Sequence, residues 1–179
     1  GEGVAQSSSS AAYWYEQAAE QGHVKAQYSL AVLYDNGDGV DQSFATAAYW
    51  YTKAAQQGYA SAQYCLAYDY AHGEGVAQSS SSAAYWYEQA AEQGLASAQY
   101  NLALMYANGD GVTQNNTEAV KWYQKAAEQG DAMAQNNLGV CYQYGDGVTQ
   151  SESIAVYWYR KAAENGNEKA KENLRKLGY

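Results

Sequence analysis

The sequence predicts an all-α solenoid of five helix–turn–helix repeats, each 36 residues long. The motif Gly-x-Gly-Val begins at residues 1, 37, 73, 109 and 145, so the period is 36 with no insertion. A Trp-Tyr pair keeps the same period and begins at Trp14, Trp50, Trp86, Trp122 and Trp158. The chain contains no proline, so no residue of that type interrupts the helices. A fixed period of about 20–50 residues is typical of arrays in which neighbouring units stack.

We predict that each repeat opens with an outer helix that begins at a capping residue. The capping positions are Ser7, Ser43, Ser79, Asn115 and Ser151. Serine and asparagine at such positions can accept hydrogen bonds from the free N–H groups of a helix's first turn. In the first repeat Trp14, Tyr15 and Ala18 share one face at helical spacing, and we predict that this face is buried. Gly22 ends the helix because glycine readily takes a positive φ.

An inner helix follows from about Lys25 to Asn36 and completes the repeat. Its predicted core stripe consists of Ala26, Leu30, Leu33 and Tyr34, repeated as Ala62, Leu66 and Tyr70 and as Ala98, Leu102 and Tyr106. Gly37 ends this helix as Gly22 ends the first. Neither helix can bury its apolar face alone, so adjacent repeats must stack.

These motifs resemble the Sel-one-like repeat (SLR) family of tetratricopeptide-type α-solenoids. The clearest copy runs from Ala98 to Gly130, with Ala-Gln-Tyr, Gly-Asp-Gly-Val and Trp-Tyr-Gln-Lys-Ala-Ala-Glu-Gln-Gly in order. The resemblance implies a right-handed superhelix that acts as a scaffold or adaptor in signalling, protein quality control or bacterial host interaction. A secreted bacterial branch carries a cysteine pair in every repeat, and this chain does not. We predict one solenoid domain over 1–179, with units 1–36, 37–72, 73–108, 109–144 and 145–179.

Composition limits the classes of partner. The net charge of −9 and the pI near 4.6 argue against nucleic-acid binding, which needs clustered basic residues. No apolar run approaches the roughly 18 residues of a membrane span, so membrane insertion is not expected. A protein or peptide partner is compatible with this charge.

The two cysteines, Cys65 and Cys141, fall inside predicted inner helices two repeats apart. Stacked helix pairs lie roughly 10 Å apart, whereas a disulfide needs Cα atoms within about 7 Å. We therefore predict two buried free thiols that pack as small apolar residues.

No motif predicts catalysis, a metal or a cofactor. The segment from Asp35 to Gly39 lacks the alternating oxygen ligands and the final glutamate of a calcium-binding EF-hand loop. The lone histidines, His23 and His72, have no Cys or His partner at ligand spacing. We therefore predict that the chain is not an enzyme.

The candidate binding site lies on the inner helices, opposite their core stripe. Its predicted partner-binding residues are Tyr28, Tyr64, Tyr68, Tyr100, Leu104, Val32, Gln27, Gln63 and Gln99. If the inner helices line a concave wall, as the resemblance implies, these tyrosines form a ladder in a groove. Tyrosine is common in binding hot spots because it combines a large area with a polar tip. The alternative is that the tyrosines only pack between successive inner helices.

Two functions remain open on the sequence alone. The first is a scaffold or adaptor that binds a peptide or partner protein in the groove. The second is a structural or engineered repeat scaffold with no evolved ligand, because residues 1–22 and 73–94 are identical. An enzyme is the remote third.

Overall fold

The computed structural model describes the backbone of residues 2–179 and the side chains of residues 8–179. Over the described backbone it contains ten helices and no strand, which confirms the all-α repeat prediction. The helices are α1 (Glu2–Glu20), α2 (Val24–Asn36), α3 (Phe44–Gln56), α4 (Ala60–His72), α5 (Ser80–Glu92), α6 (Ala96–Asn108), α7 (Asn116–Glu128), α8 (Ala132–Tyr144), α9 (Glu152–Glu164) and α10 (Glu168–Lys176). The odd-numbered helices are the predicted outer helices, and the even-numbered helices are the inner ones.

The predicted capping residues hold the starts of three outer helices. Ser43, Ser79 and Asn115 each accept a hydrogen bond from the N–H three residues later, at 3.2, 3.2 and 3.1 Å. Ser151 has the same extended backbone, but its hydroxyl lies 3.2 Å from the Ser153 hydroxyl and caps no N–H group.

The first repeat departs from the prediction. Helix α1 already begins at Glu2, so there is neither a Gly-x-Gly-Val turn nor a helix start at Ser7, whose side chain lies outside the described residues. In the second repeat, the N–H of Ser43 donates to the Tyr34 carbonyl of the preceding inner helix at 2.9 Å.

The two glycines of a Gly-x-Gly-Val turn have different structural roles. Gly73 ends α4 in the left-handed conformation, with φ +76°, and its N–H donates to the Asp69 carbonyl. Gly75 also has a positive φ, of +69°, but it lies directly against the backbone at the start of α3. A Cβ on Gly75 would overlap the Phe44 carbonyl, so the second glycine permits close contact between the turn and an outer helix.

The chain divides into two compact units, Gly1–Ala90 and Ala91–Tyr179. The main core of the first unit consists of Ala31, Ala47, Tyr51, Ala54, Ala55, Ala62 and Leu66. Small alanines let its helices approach closely, while Tyr51 and Leu66 fill the space between them. In this unit the predicted stripe is confirmed at Ala26, Leu30, Ala62 and Leu66. The remaining stripe residues are only half-buried: Leu33, Tyr34 and Tyr70.

The first outer helix is an exception within this unit. Trp14 is 68% exposed and Tyr15 is 39% exposed, so the prediction that they face the core is wrong for this repeat. At the equivalent positions of α3, Trp50 is half-buried and Tyr51 is 2% exposed. Tyr51 is buried because it packs in one core cluster with Ala31 of the preceding inner helix, α2.

The second unit has two cores. The larger consists of Ala103, Ala119, Val120, Tyr123, Ala126, Ala127, Ala134 and Leu138. The smaller joins α9 to α10 through Ala155, Tyr159, Ala162 and Ala170. Helix α10 turns Ala170 inward and carries exposed ion pairs outside, such as Lys171 with Glu168 at 2.7 Å. One face of α10 therefore packs on α9 and the other is solvated.

Candidate functional site

The predicted tyrosines of the first unit are partly packed and partly accessible. We call Tyr28, Val32, Tyr64 and Tyr68 the inner tyrosine face of this unit. The Tyr28 ring lies 5.9 Å from the Tyr51 ring and 5.1 Å from the Tyr59 ring. The Tyr64 ring lies 5.6 Å from that of Tyr87. Both Tyr28 and Tyr64 are half-buried, so each has a packing role and still presents surface to solvent.

Tyr68 is more exposed to solvent than Tyr28 and Tyr64. It is 41% exposed and stacks on the His72 imidazole of its own helix, with ring centroids 3.9 Å apart. It follows Tyr64 by one helical turn on α4, so the two side chains lie on the same face.

The second unit carries the rest of the predicted set. Tyr100 is half-buried and its ring lies 6.1 Å from that of Tyr123, while Leu104 is half-buried in the same cluster. Replacing Tyr100 by a small residue would therefore alter core packing as well as the exposed surface.

The structure corrects the prediction for the glutamines. Gln27, Gln63 and Gln99 are only 4, 5 and 4% exposed. Their Nε2 groups donate to the carbonyls of Ala19, Ala55 and Ala91, at the end of the preceding outer helix. Gln27 and Gln99 also accept an amide hydrogen bond from the end of the next outer helix: Gln57 donates to Gln27 at 2.7 Å, and Gln129 to Gln99 at 2.8 Å. These glutamines therefore link helix ends, and little of their surface is exposed.

Sequence reasoning missed a group of acidic side chains beside the inner tyrosine face. Asp69, on α4, is 6% exposed. Asp35, on α2, accepts a hydrogen bond from the Tyr51 hydroxyl at 3.5 Å. Glu74 follows α4 in the Gly-x-Gly-Val turn.

Burial and mutual repulsion act on the carboxyl groups of this cluster. Burial first, and then the neighbouring charges of Asp35 and Glu74, together raise the pKa of Asp69 from 3.8 to about 7. Burial and then Glu74 raise the pKa of Asp35, while the hydrogen bond from Tyr51 lowers it.

A signal in the sequence could have identified Asp69. The positions one repeat apart from it are Leu33, Met105 and Cys141, which are all apolar or weakly polar. An aspartate at an apolar position of a regular repeat is the kind of exception that marks a candidate site.

The same positions in the second unit line an open pocket of about 410 Å³. It is lined by Tyr123, Asn137, Val140, Cys141 and Asp146, among others. Cys141 stands at the position of Asp69, and Asp146 at that of Glu74. The fold therefore leaves space at this position, and the side chains of each repeat determine its chemistry.

Clefts also lie beside the outer helices. One of about 450 Å³ in the first unit is lined by Tyr49, Trp50 and Lys53. Its counterpart in the second unit, about 360 Å³, has Tyr157, Trp158 and Lys161 at the same positions.

Both thiols are free, as predicted, but each is half-buried and not fully buried. Burial raises the pKa of Cys65 and that of Cys141 to about 11. Each thiol therefore remains protonated at neutral pH, which is typical of a packing cysteine.

Among the side chains that the structure describes, no group of three His, Cys, Asp or Glu residues could hold a metal ion. A search of the described residues also finds no helix that is long and apolar enough to cross a membrane.

Comparison with solved structures supports the fold independently. The chain is 42% identical to a protective antigen of uropathogenic Escherichia coli with an SLR fold, over 91% of this chain and 35% of that one, with a TM-score of 0.88. It is 38% identical to a Sel1 repeat protein of Oxalobacter formigenes, over 89% of this chain and 63% of that one, with a TM-score of 0.80. The chain thus spans less than two thirds of either protein.

More distant similarity extends to cysteine rich protein B of Helicobacter pylori. That comparison gives 24% identity over 74% of this chain and 96% of that one, with a TM-score of 0.59, and shows the fold alone. No curated protein matches the sequence.

The model of the Sel1 repeat matches residues 1–23, 24–59, 60–95, 96–131 and 132–167. These matches follow the helices, since each complete one begins at or beside an inner helix and ends after the next outer helix. The chain therefore belongs to the Sel1 repeat family, whose members are generally non-catalytic scaffolds for protein interaction.

Proposed function

We propose that this chain binds a peptide or a partner protein along the inner tyrosine face, as a scaffold or adaptor. The proposal rests mainly on the exposure of Tyr68. This side chain is 41% exposed and lies beside the half-buried Tyr64 on the same helix face. A partly exposed tyrosine gives a partner a large contact area, and ordering its side chain costs little conformational entropy.

Packing of the neighbouring tyrosines favours binding. The Tyr28 and Tyr64 rings are held against outer-helix tyrosines, so they lose little rotamer freedom when a partner covers them. Preorganised surfaces of this kind bind more tightly because the cost of ordering side chains is already met in the free protein. In the second unit Tyr100 and Leu104 offer a similar, smaller surface.

The proposal is tested by selecting peptides that bind the chain from a random display library and measuring their dissociation constants. Tyr68→Ala should weaken a selected peptide about thirtyfold, since hot-spot aromatics contribute about 2 kcal/mol or more. Tyr49→Ala is the matched control, because Tyr49 is 52% exposed on an outer helix. Equal affinities for Tyr68→Ala and the unchanged chain, or a larger loss with Tyr49→Ala, would contradict the proposal.

The second candidate is a repeat scaffold with no evolved ligand. The identity of residues 1–22 and 73–94 favours it, because duplication without divergence leaves no trace of selection for a partner. A library that yields no peptide dependent on the inner tyrosine face would support this candidate.

A further inference from the structure

We propose that the pocket beside α7 and α8 in the second unit receives the primary amide of a glutamine side chain from the partner. This inference rests on the proposed function and deepens it, because it names one side chain that the partner contributes. The pocket has a volume of about 410 Å³ and lies wholly within the second unit. It is lined by residues of α6, α7 and α8 and of the turns that follow α6 and α8. Its volume falls in the range of ligand pockets, roughly 300–1,000 Å³.

The first argument is a hydrogen bond that two other repeats make and this one lacks. Between α8 and α9, the Tyr159 hydroxyl donates to Gln143 Oε1 at 2.6 Å. In the first unit, the Tyr51 hydroxyl donates to the carboxylate of Asp35 at 3.5 Å. Gln143 and Asp35 stand at the same position of their inner helices, and in α6 that position is Ala107. Alanine has no side-chain acceptor, so the equivalent tyrosine of α7 receives none from α6.

The tyrosine concerned is Tyr123, which lines the pocket and is 3% exposed. Its oxygen accepts a hydrogen bond from Asn137 Nδ2 at 3.3 Å. Among the described residues, no acceptor for the hydroxyl proton of Tyr123 is found. A tyrosine hydroxyl can donate one hydrogen bond while it accepts another, and a buried polar group is costly when its bonds are not made. Tyr123 therefore favours a ligand that brings an oxygen acceptor into the pocket.

The second argument is the space beside this hydroxyl. Ala107 and Val140 line the pocket, whereas the same positions of the first unit carry the larger Asp35 and Tyr68. The smaller side chains leave room for a side chain from outside. Together with Ala119 they also give the pocket apolar walls, which suit the two methylene groups of a glutamine. Ligand sites commonly combine such walls with a few polar groups that fix orientation.

Charge favours an amide over a carboxylate in this pocket. Asp146 lines it, and none of the lining residues that the structure describes is basic. Asp146 would repel a carboxylate, whereas the NH2 group of an amide can donate a hydrogen bond to it. A primary amide therefore offers an acceptor to Tyr123 and a donor to Asp146 at once. Gln143 makes the first of these two bonds within this chain, to Tyr159.

The inference is tested by NMR of the full chain with ring-labelled tyrosine and N-acetylglutamine methylamide as the probe. The Tyr123 signals should shift as the probe is added. Those of Tyr159, whose hydroxyl already donates to Gln143, should not. Matched probes with glutamate or norvaline in place of glutamine should shift Tyr123 much less. Equal shifts with the norvaline probe, or none with the glutamine probe, would show that the pocket takes apolar groups or water only and would overturn the inference.

Ala107→Gln is the central variant, because it places on α6 the residue that α8 carries at this position. The new amide should occupy the pocket, so the response of Tyr123 to the glutamine probe should be lost. A response as large as in the unchanged chain would contradict the inference.

Tyr123→Phe keeps the ring and removes only the hydroxyl. It should weaken a selected peptide that contains glutamine about fivefold, the effect of one neutral hydrogen bond. Tyr159→Phe is the matched control, since the Tyr159 hydroxyl is bonded within the chain, and it should leave the affinity unchanged. Equal losses of affinity in the two variants would count against the pocket.

The two proposals fail in different ways. A selected peptide that is weakened by Tyr68→Ala, but not by replacement of its glutamines, overturns the amide pocket and leaves the proposed function standing. A response of Tyr123 to the glutamine probe, together with selected peptides that are insensitive to Tyr68→Ala, supports the pocket and contradicts the role of the tyrosine face.

Discussion

Replacing Gly75 by alanine should destabilise the chain far more than replacing Gly58, although both glycines have a positive φ. Their φ angles are +69° and +85°. An added Cβ at Gly58 meets nothing within 4 Å, whereas at Gly75 it overlaps the Phe44 carbonyl and crowds the Ala45 nitrogen at 2.8 Å. Comparing the two variants therefore separates the cost of backbone strain from the cost of steric overlap with α3.

The expected magnitudes follow from these environments. An alanine with positive φ costs about 1–2 kcal/mol, partly offset by the lower entropy of the unfolded chain. Gly58→Ala should therefore lower the free energy of unfolding by about 1 kcal/mol. Gly75→Ala adds overpacking against rigid backbone, which costs about 1–3 kcal/mol, for a total of about 3 kcal/mol.

Urea unfolding followed by circular dichroism measures both values, and thermal melting should place the Gly75 variant about 4–8 °C below the Gly58 variant. The urea m-value should be the same in both variants if only stability changes. If both variants lost the same free energy of unfolding, the turn would not pack closely on α3. Gly75 would then be needed only for its positive φ.

Three further predictions concern the thiols, the pH dependence and the domain. Cys65 and Cys141, each with a pKa raised to about 11, should react slowly with a thiol reagent at pH 8 until denaturant is added; rapid native labelling would contradict this. The pKa of Asp69 is higher in the folded than in the unfolded chain, so its contribution to stability is present below about pH 4 and lost as the pH rises through about 7. The free energy of unfolding should fall over that range by at most about 4 kcal/mol, and Asp69→Leu should flatten the profile; an identical slope in the variant would refute the assignment. We expect residues 1–179 to unfold as a single domain, because α5 continues through the boundary at Ala90. Calorimetry should then show one unfolding transition, and two separated transitions would contradict the single-domain prediction.

Most of the fold could be predicted from the sequence because the repeat supplies the same local signals several times. Gly37 and Ser43 mark the end of one helix and the start of the next, and both act as their residue types predict. The first repeat departs from the prediction, since α1 begins at Glu2 and not at the predicted capping residue Ser7.

The candidate site was harder to predict because burial depends on neighbouring repeats. Gln27 and Tyr28 are adjacent in the chain, yet Gln27 turns into the helix ends and Tyr28 remains half-exposed. Periodicity identifies a face but does not state which of its polar side chains find a partner. Asp69 was visible only by comparing one position across repeats.

The most direct test of the central claim is photo-crosslinking at the inner tyrosine face. Tyr68 would be replaced by benzoylphenylalanine, and in a control chain Tyr49 on the outer helix would carry the same group. After irradiation with a selected peptide, mass spectrometry should find the adduct at position 68 and little at position 49. An adduct at position 49 alone would place the partner on the outer helices and contradict the claim.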